Sequence, residues 1–206
     1  MEDVLGVYCL PYDPAIPQLC MDESCKQLIG ETRVPLPAAP GQPLRYDDEY
    51  VRHGVAAIFM FVEPLTGWRH VSIRARRTAG DWAEELDAVL ERHFPHASHI
   101  RLVMDNLNIH ALASLYETFP APHARRLAER LEIHFTPKHG SWLNVAEIAL
   151  SALNSQCLDR RIPDMATMTR EVAAWEASRN GAKVPIQWRF TTDNARIKLR
   201  RLYPNI

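Results

Sequence analysis

Hydrophobic positions along the chain follow two different periods, which predict a mixture of strands and helices. The almost continuous apolar run GVAAIFMFV, residues 54–62, is typical of a strand that is buried on both faces. A short glycine-containing loop separates it from residues 68–75, where the side chains alternate, so the two segments are predicted to form a hairpin. Three further strands are predicted at residues 17–29, 100–104 and 132–136.

Helices are predicted where apolar residues recur every three or four positions. The clearest covers residues 78–94, where Trp82, Leu86 and Leu90 share one face and Pro95 ends the pattern. The other predicted helices are residues 111–131 with a break at Pro120 and Pro122, 144–158, 165–179 and 193–202. Residues 34–52 are rich in proline and are predicted to form a long irregular excursion.

The order of these elements predicts an α/β fold. Three consecutive strands, of which two form a hairpin, precede alternating helices and strands, and this order matches a ribonuclease-H-like mixed sheet flanked by helices. A doubly wound sheet is the alternative, but no glycine-rich loop follows the first strand to hold a nucleotide. We expect residues 1–206 to form a single domain, with residues 164–206 as a helical, basic carboxyl-terminal extension.

Composition excludes two classes of protein. Apolar residues make up 47% and charged residues 24% of the chain, and no apolar run has the length of a membrane helix. The amino terminus has two early acids and no basic residue, unlike a signal peptide, so we expect a cytoplasmic protein without a membrane partner. The four cysteines form no CxxC pair and are expected to be thiols; zinc binding by Cys20 and Cys25 with outside histidines is the alternative.

The distribution of charge is more informative than the net charge of -1. Residues 1–24 contain five acids and no lysine or arginine, whereas the chain from Arg179 onward is basic. The basic residues of that end are Arg179, Lys183, Arg189, Arg196, Lys198, Arg200 and Arg201. Such an end could lie along DNA phosphates, or it could be the solvated face of a helix.

Three acids occupy positions that solubility does not explain. Asp22 lies within the first predicted strand, Asp105 directly follows the strand 100–104, and Glu147 is the one charge in the helical segment VAEIAL. Taken singly, each has an ordinary interpretation: Asp22 could face solvent, Asp105 could cap a turn and Glu147 could form an ion pair. Together, three carboxylates at one edge of a sheet suit two Mg²⁺ or Mn²⁺ ions, as in enzymes that cleave phosphodiesters.

Histidines flank these acids. His110 and His139 lie on predicted loops beside Asp105 and Glu147, where either could contact phosphate or position water. His93, His96 and His99 have a spacing that suits metal ligands, but Pro95 breaks the helix that would align them, so an exposed loop is the interpretation we favour.

Five segments spread over nearly the whole chain carry a family resemblance. They are CMDESCKQLIGETR, PGQPLRYDDEYVRHG, LVMDNLNIH, TPKHGSWLNVAEIALSALNSQCLDRRIP and WRFTTDNARIKLRRLYP. In them the chain resembles the bacterial insertion-sequence six-thirty group of transposases, within the Tc/mariner superfamily. The resemblance implies a DDE-type endonuclease and strand transferase of ribonuclease-H-like fold, and it places the metal-binding aspartate, aspartate and glutamate on Asp22, Asp105 and Glu147.

The resemblance also implies a reaction and its partners. Hydrolysis at the transposon end frees a 3′-hydroxyl, which then attacks target DNA at a TA dinucleotide. We assign Asp22 to both ions, Asp105 to one and Glu147 to the other. The groups expected to orient water or phosphate are Asn106, His110, His139 and Asn144, and those expected along DNA are Arg196, Lys198 and Arg200; Trp142 could stack on a flipped base or be structural.

Such transposases carry amino-terminal helix-turn-helix domains, and no such domain is recognisable in this sequence. Recognition of the terminal inverted repeats would then come from a separate helix-turn-helix partner chain or segment, with the catalytic chains expected to act as a homodimer on DNA in the bacterial nucleoid. Two alternatives stay open at this point. The chain could be an inactive remnant that only binds DNA or supports assembly, or a ribonuclease-H-like nuclease that acts on another nucleic acid.

Overall fold

The computed structural model describes residues 1–203, and five strands in that part of the chain form one mixed sheet. The strands are β1 (Gln18–Glu31), β2 (Tyr50–Glu63), β3 (Trp68–Arg74), β4 (Ile100–Met104) and β5 (Leu131–Phe135). Their order across the sheet is β3-β2-β1-β4-β5. The first three strands pair antiparallel, whereas β4 runs parallel to both β1 and β5. The predicted mixed sheet is confirmed.

Seven α-helices are present among the described residues. They are α1 (Glu2–Tyr8), α2 (Ala79–Arg92), α3 (Leu112–Thr118), α4 (Ala121–Glu129), α5 (Val145–Leu153), α6 (Met165–Ala182) and α7 (Thr192–Lys198). The predicted break at Pro120 separates α3 from α4, because proline fits the first turn of a helix and not its interior. The helix predicted over residues 144–158 continues past α5 as a π-helical turn at Asn154–Leu158.

Helices cover both faces of the sheet. Along β2, successive side chains enter alternate cores: Ile58 and Met60 contact one, Phe59 and Phe61 the other. The first core is completed by α1, α5, α6 and α7, and the second by α2, α3 and α4. This arrangement explains the continuous apolar run, since a strand that is covered on both sides has no solvent face on which to alternate.

Two elements differ from the sequence-based expectation. Helix α1 was not predicted, because seven residues are too few to show a helical period, yet Val4 and Leu5 are fully buried. Strand β2 begins at Tyr50 rather than at residue 54, since its exposed first residues pair with the end of β1 and therefore show no apolar pattern. The irregular excursion is confirmed but is shorter than expected, covering residues 32–49.

The carboxyl-terminal part forms α6, α7 and a 3-10 turn at Arg200–Leu202. That residues 164–206 are an extension of a single domain stays a prediction. Residues 204–206, with which that extension ends, lie outside the described residues. Within residues 1–203, no helix combines the length and the apolar character that crossing a bilayer requires.

Candidate active site

The parallel pairing of β1 with β4 places Asp22 beside Asp105. Cys20 of β1 pairs with Val103 of β4. Asp22 lies two residues after Cys20, and Asp105 lies two residues after Val103. Both therefore occupy the carboxyl end of the parallel pair, the edge at which ligands bind in sheets of this type. The predicted proximity of these two acids thus follows directly from strand register.

Glu147 reaches the same edge because α5 is anchored to β1. The Asn144 side chain donates from Nδ2 to the Met21 carbonyl at 2.7 Å and accepts from the Ala146 amide at 3.1 Å, so it caps α5 while holding the residue before Asp22. Tyr8 reinforces the junction: its hydroxyl donates to the Leu143 carbonyl at 2.7 Å. Glu147 lies in the first turn of α5, where the helix dipole favours a negative charge.

The electrostatics of Asp22 reflect its acidic neighbours. Burial, with smaller contributions from the carboxylates of Asp105, Glu23 and Glu147, raises the pKa of Asp22 to about 7, while a hydrogen bond from the Glu23 amide opposes the rise. A carboxylate of this kind ionises reluctantly without a counter-charge. A bound cation would remove the repulsion.

A fourth acid, Glu23, was not predicted as a site residue. Its Oε1 lies 2.7 Å from Nε2 of His110, and Nδ1 of the same ring lies 2.7 Å from Oδ1 of Asp105. Burial disfavours the charged imidazole, but the hydrogen bonds to Asp105 and Glu23 outweigh it and raise the pKa of His110 well above its usual value. A signal was present in the sequence, since strand alternation puts Glu23 on the same face as the buried Met21.

Two groups of side chains in this region carry ligand atoms of the kind that bind a divalent cation. In the first, the closest atoms of Glu23, Asp105 and His110 lie within 4.8 Å of one another, but the Glu23 and His110 side chains are 0% exposed and already hydrogen-bonded together. In the second, Asp22, Asp105 and Glu147 are all partly exposed. Three accessible carboxylates fit a hard cation better than a closed pair that would first have to be broken.

Two of the residues expected to orient water or phosphate are instead buried. Asn144 is 0% exposed, and both its amide nitrogen and its amide oxygen are hydrogen-bonded. It therefore caps α5 and joins that helix to β1 rather than contacting substrate. His110 is 1% exposed, and each ring nitrogen faces a protein oxygen. These two expectations are corrected, because the folded chain leaves neither side chain a free polar atom for DNA.

Asn106, His139 and Trp142 are exposed. His139 has a φ of 62°, a left-handed conformation that is uncommon for a residue other than glycine. The Trp142 ring is 43% exposed and lines a groove of about 440 Å³ together with Glu147. These three side chains remain available for the roles predicted for them.

The basic residues of the carboxyl-terminal end differ in their surroundings. Arg196 makes a two-pronged contact with Glu2, with both N–O distances 2.8 Å. Lys198 instead lies 6.0 Å from the centre of the Phe190 ring, which packs edge-on against Trp142 at 5.6 Å. Arg200 is exposed. Lys198 is thereby linked through two aromatic rings to the groove that contains Glu147.

The two alternative metal sites find no support in the geometry. Cys20 is buried with its Sγ 3.6 Å from the Tyr8 hydroxyl, whereas Cys25 is exposed, which does not suit a shared zinc. The His93 ring packs against Trp68 at 5.0 Å. Glu23, Asp105 and His110 form the group of close potential ligands found among residues 1–203; it includes none of these cysteines and histidines, and of the three predicted acids it includes Asp105 alone.

The chain was compared with known proteins. The family model described as DDE superfamily endonuclease matches residues 17–169. Two similar solved structures are titled "Crystal structure of the Mos1 Strand Transfer Complex" and "Mos1 transposase paired-end complex with left transposon end". Their TM-scores are 0.56 and 0.52 and their sequence identities 12% and 14%, with 90% and 83% of this chain covered. No curated protein matches the sequence significantly.

The similar structures support the fold, and the family model supports the family. The chain spans 58% and 53% of the two Mos1 chains, and at such low identity the match confirms the ribonuclease-H-like fold. The family match covers most of the chain and contains all three predicted acids. The chain belongs to the DDE superfamily of endonucleases.

Proposed function

We propose that this chain is the catalytic domain of a DNA transposase, in which Asp22, Asp105 and Glu147 form the site that cuts transposon ends and joins them to target DNA. The observation that carries the proposal is that Asp22 and Asp105 lie at the carboxyl end of the parallel strand pair, with Glu147, in the first turn of α5, close enough to raise the pKa of Asp22. The two similar structures are Mos1 complexes, one with a transposon end.

The three carboxylates would hold two Mg²⁺ or Mn²⁺ ions, with Asp22 shared, Asp105 on one and Glu147 on the other. The accessible, oxygen-only donor set fits these hard cations, and the raised pKa of Asp22 indicates a site that needs positive charge. When bound, such ions activate the attacking oxygen and stabilise the leaving oxygen of a phosphodiester.

The protein's own contribution is to position the reacting groups. In the first step a water oxygen bonds to phosphorus, the bond from phosphorus to the 3′ oxygen breaks, and that oxygen leaves as a hydroxyl. In the second step the 3′-hydroxyl oxygen attacks a target phosphodiester, whose own 3′ oxygen leaves. Asn106, which directly follows Asp105, and the exposed His139 would orient the phosphate or the attacking water.

A surface next to Glu147 would bind DNA through Trp142, Phe190 and Lys198. The exposed Trp142 ring offers a stacking face, and Lys198 adds a positive charge at the other side of Phe190. Terminal inverted repeats and target DNA are the proposed partners. We also propose that the chain acts as a homodimer on DNA, works with a separate helix-turn-helix partner and is located at the bacterial nucleoid.

Substituting the three acids tests the function. Asp22→Asn, Asp105→Asn and Glu147→Gln are each expected to reduce cleavage of a labelled duplex carrying the inverted repeats that flank the reading frame by at least about 10³-fold. Each should also weaken Mn²⁺ binding in calorimetry. Glu91→Gln, which alters an exposed acid paired with Arg130 on the opposite side of the sheet, is the matched control and should change neither.

Wild-type protein that binds no Mn²⁺, or binds it independently of the three acids, would indicate an inactive remnant. Metal-dependent cleavage of RNA–DNA hybrids in preference to the repeat duplex would indicate a nuclease with another substrate. Either result would overturn the proposal.

The basic end provides a separate prediction about DNA binding. Lys198→Ala is expected to weaken binding to a repeat duplex and to reduce the salt dependence of the binding constant by about one counterion. Arg196→Ala is expected to have a smaller effect, because the Arg196 guanidinium is already paired with Glu2. Fluorescence anisotropy at several salt concentrations measures both. Equal losses for the two variants would contradict this assignment.

A further inference from the structure

The buried pair of Glu23 and His110 lies on the side of the sheet away from Asp22. Glu23 Oε1 is 2.7 Å from His110 Nε2, and both side chains are 0% exposed. Glu23 follows Asp22 directly, so alternation along β1 turns its side chain to the opposite face, among the residues of the second core. The neighbouring Trp82 ring is 5.7 Å from the His110 ring, centre to centre.

The other nitrogen of His110 reaches Asp105. Nδ1 is hydrogen-bonded to the Asp105 carbonyl oxygen at 3.0 Å. Oδ1 of the Asp105 carboxylate lies 2.7 Å from the same nitrogen as a charge contact, outside hydrogen-bond geometry. The imidazole is thus held at both ends, by Glu23 on one side and by Asp105 on the other. A ring in this position cannot rotate without losing contacts at both nitrogens.

Asp105 needs such an anchor because the chain around it is irregular. It lies beyond the end of β4, and Asn106, Leu107 and Asn108 after it are exposed. The segment regains contact with the core at His110, whose amide donates to the Leu107 carbonyl at 2.9 Å. His110 therefore contacts both the carbonyl and the carboxylate of Asp105 from within the core.

Stability alone does not explain Glu23. A buried carboxylate costs free energy unless it is fully hydrogen-bonded, and Glu23 Oε2 has no hydrogen-bond partner in the described part of the chain. An apolar residue would fill the position without that cost. The arrangement resembles the outer contacts of metal sites, in which partners that are not ligands hydrogen-bond to the ligands and fix their orientation.

We propose that Glu23 is a positioning residue: it holds His110, and His110 holds the Asp105 carboxylate in the orientation that binds metal beside Asp22. The proposal rests on the metal role assigned above to Asp22, Asp105 and Glu147. It assigns Glu23 no contact with the metal or with DNA.

Mn²⁺ binding to the 206-residue chain without DNA, measured by calorimetry, tests this role. Glu23→Leu removes the acceptor for His110 and is expected to weaken binding by about 10- to 100-fold. Glu23→Gln keeps an oxygen facing His110 and is expected to stay within about threefold of wild type. Glu63→Leu is the matched control: it removes another buried strand glutamate, which accepts from Thr66, and should bind Mn²⁺ as wild type does.

A double variant separates positioning from folding. Glu23→Leu combined with His110→Phe replaces the pair by two apolar side chains, a change that buried ion pairs often tolerate without loss of stability. It is expected to melt near the wild-type temperature and yet to bind Mn²⁺ about 10- to 100-fold more weakly. In the metal-free wild-type protein, the buried ring N–H of His110 should give a slowly exchanging NMR signal that Glu23→Leu removes.

Three outcomes would overturn the role of Glu23. Wild-type Mn²⁺ affinity in both the Glu23→Leu and the double variant would make the pair purely structural. Loss of one Mn²⁺ equivalent in Glu23→Gln would make Glu23 a ligand. An unchanged His110 N–H signal in Glu23→Leu would remove the link between the two side chains. Failure of the proposed metal-dependent function would look different, because the Asp22→Asn variant would in that case bind Mn²⁺ with wild-type affinity.

Discussion

Asp22→Asn is expected to stabilise the metal-free protein at pH 8 by about 1–3 kcal/mol, although it abolishes cleavage. Burial and the neighbouring carboxylates raise the pKa of Asp22 from 3.8 to about 7 in the folded chain. A carboxyl group with a raised folded pKa favours folding most below its unfolded pKa and loses that contribution as pH rises through the folded value. Asparagine keeps the oxygen that accepts from the Glu23 amide and carries no charge.

The stability difference between the Asp22→Asn variant and the wild-type protein is expected to depend on pH. The advantage of the Asp22→Asn variant should be complete above about pH 7 and should shrink as the pH falls, disappearing only below the unfolded pKa of 3.8, where Asp22 is protonated in both states. Chemical unfolding in EDTA across this range measures it. Adding Mg²⁺ at pH 8 should stabilise the wild-type protein and leave the variant unchanged.

Asp193→Asn is the matched control, since the Asp193 side chain is 88% exposed on α7. It is expected to alter neither the pH profile nor the response to Mg²⁺. A wild-type protein that is more stable than Asp22→Asn at pH 8 in EDTA would show that the carboxylates do not repel one another in the folded chain.

Asn144→Ala is expected to cost about 2–4 kcal/mol of stability and to lower cleavage by about 10²-fold. Loss of the cap at the start of α5 accounts for about 1 kcal/mol. Loss of the donor to the buried Met21 carbonyl adds about 1–3 kcal/mol. The catalytic loss follows because Asn144 joins the residue before Asp22 to the helix that carries Glu147.

Asp164→Ala provides the comparison for Asn144. Asp164 caps α6 by accepting from the Thr167 amide at 2.7 Å, but it is exposed and holds no second element. Its removal is expected to cost about 1 kcal/mol with little effect on cleavage. Urea unfolding and cleavage rates of both variants test the distinction. A loss of cleavage in Asn144→Ala no greater than in Asp164→Ala would contradict the proposed clamp.

Most elements of the fold could be predicted because their signals are local. The capping box of Thr78 and Asp81 marks the start of α2, and the alternating and continuous apolar runs mark β3 and β2. Helix α1 lacked such a signal, since its packing against α7 and β5 rather than its own seven residues stabilises it.

Sequence patterns alone predict which acids bind metal and on which elements they lie. Asp22, Asp105 and Glu147 stand out as isolated charges at strand or helix positions, and the order of elements brings those positions to one edge of the sheet. Local pattern also determined that β2 is covered on both faces. The positions of the acids and the burial of β2 depend on the alternation of side chains along each element and on the handedness of strand connections. Both follow from short segments of sequence.

The contacts that hold the acids follow from the tertiary structure and not from any local pattern. The contact between Glu23 and His110 spans 87 residues of sequence, and that between Asn144 and Met21 spans 123. Whether such side chains meet depends on strand register and helix packing, and a shift of one residue in either would separate them. His110 and Asn144 were for this reason expected to contact DNA, whereas burial makes them the supports of Asp105 and Glu147.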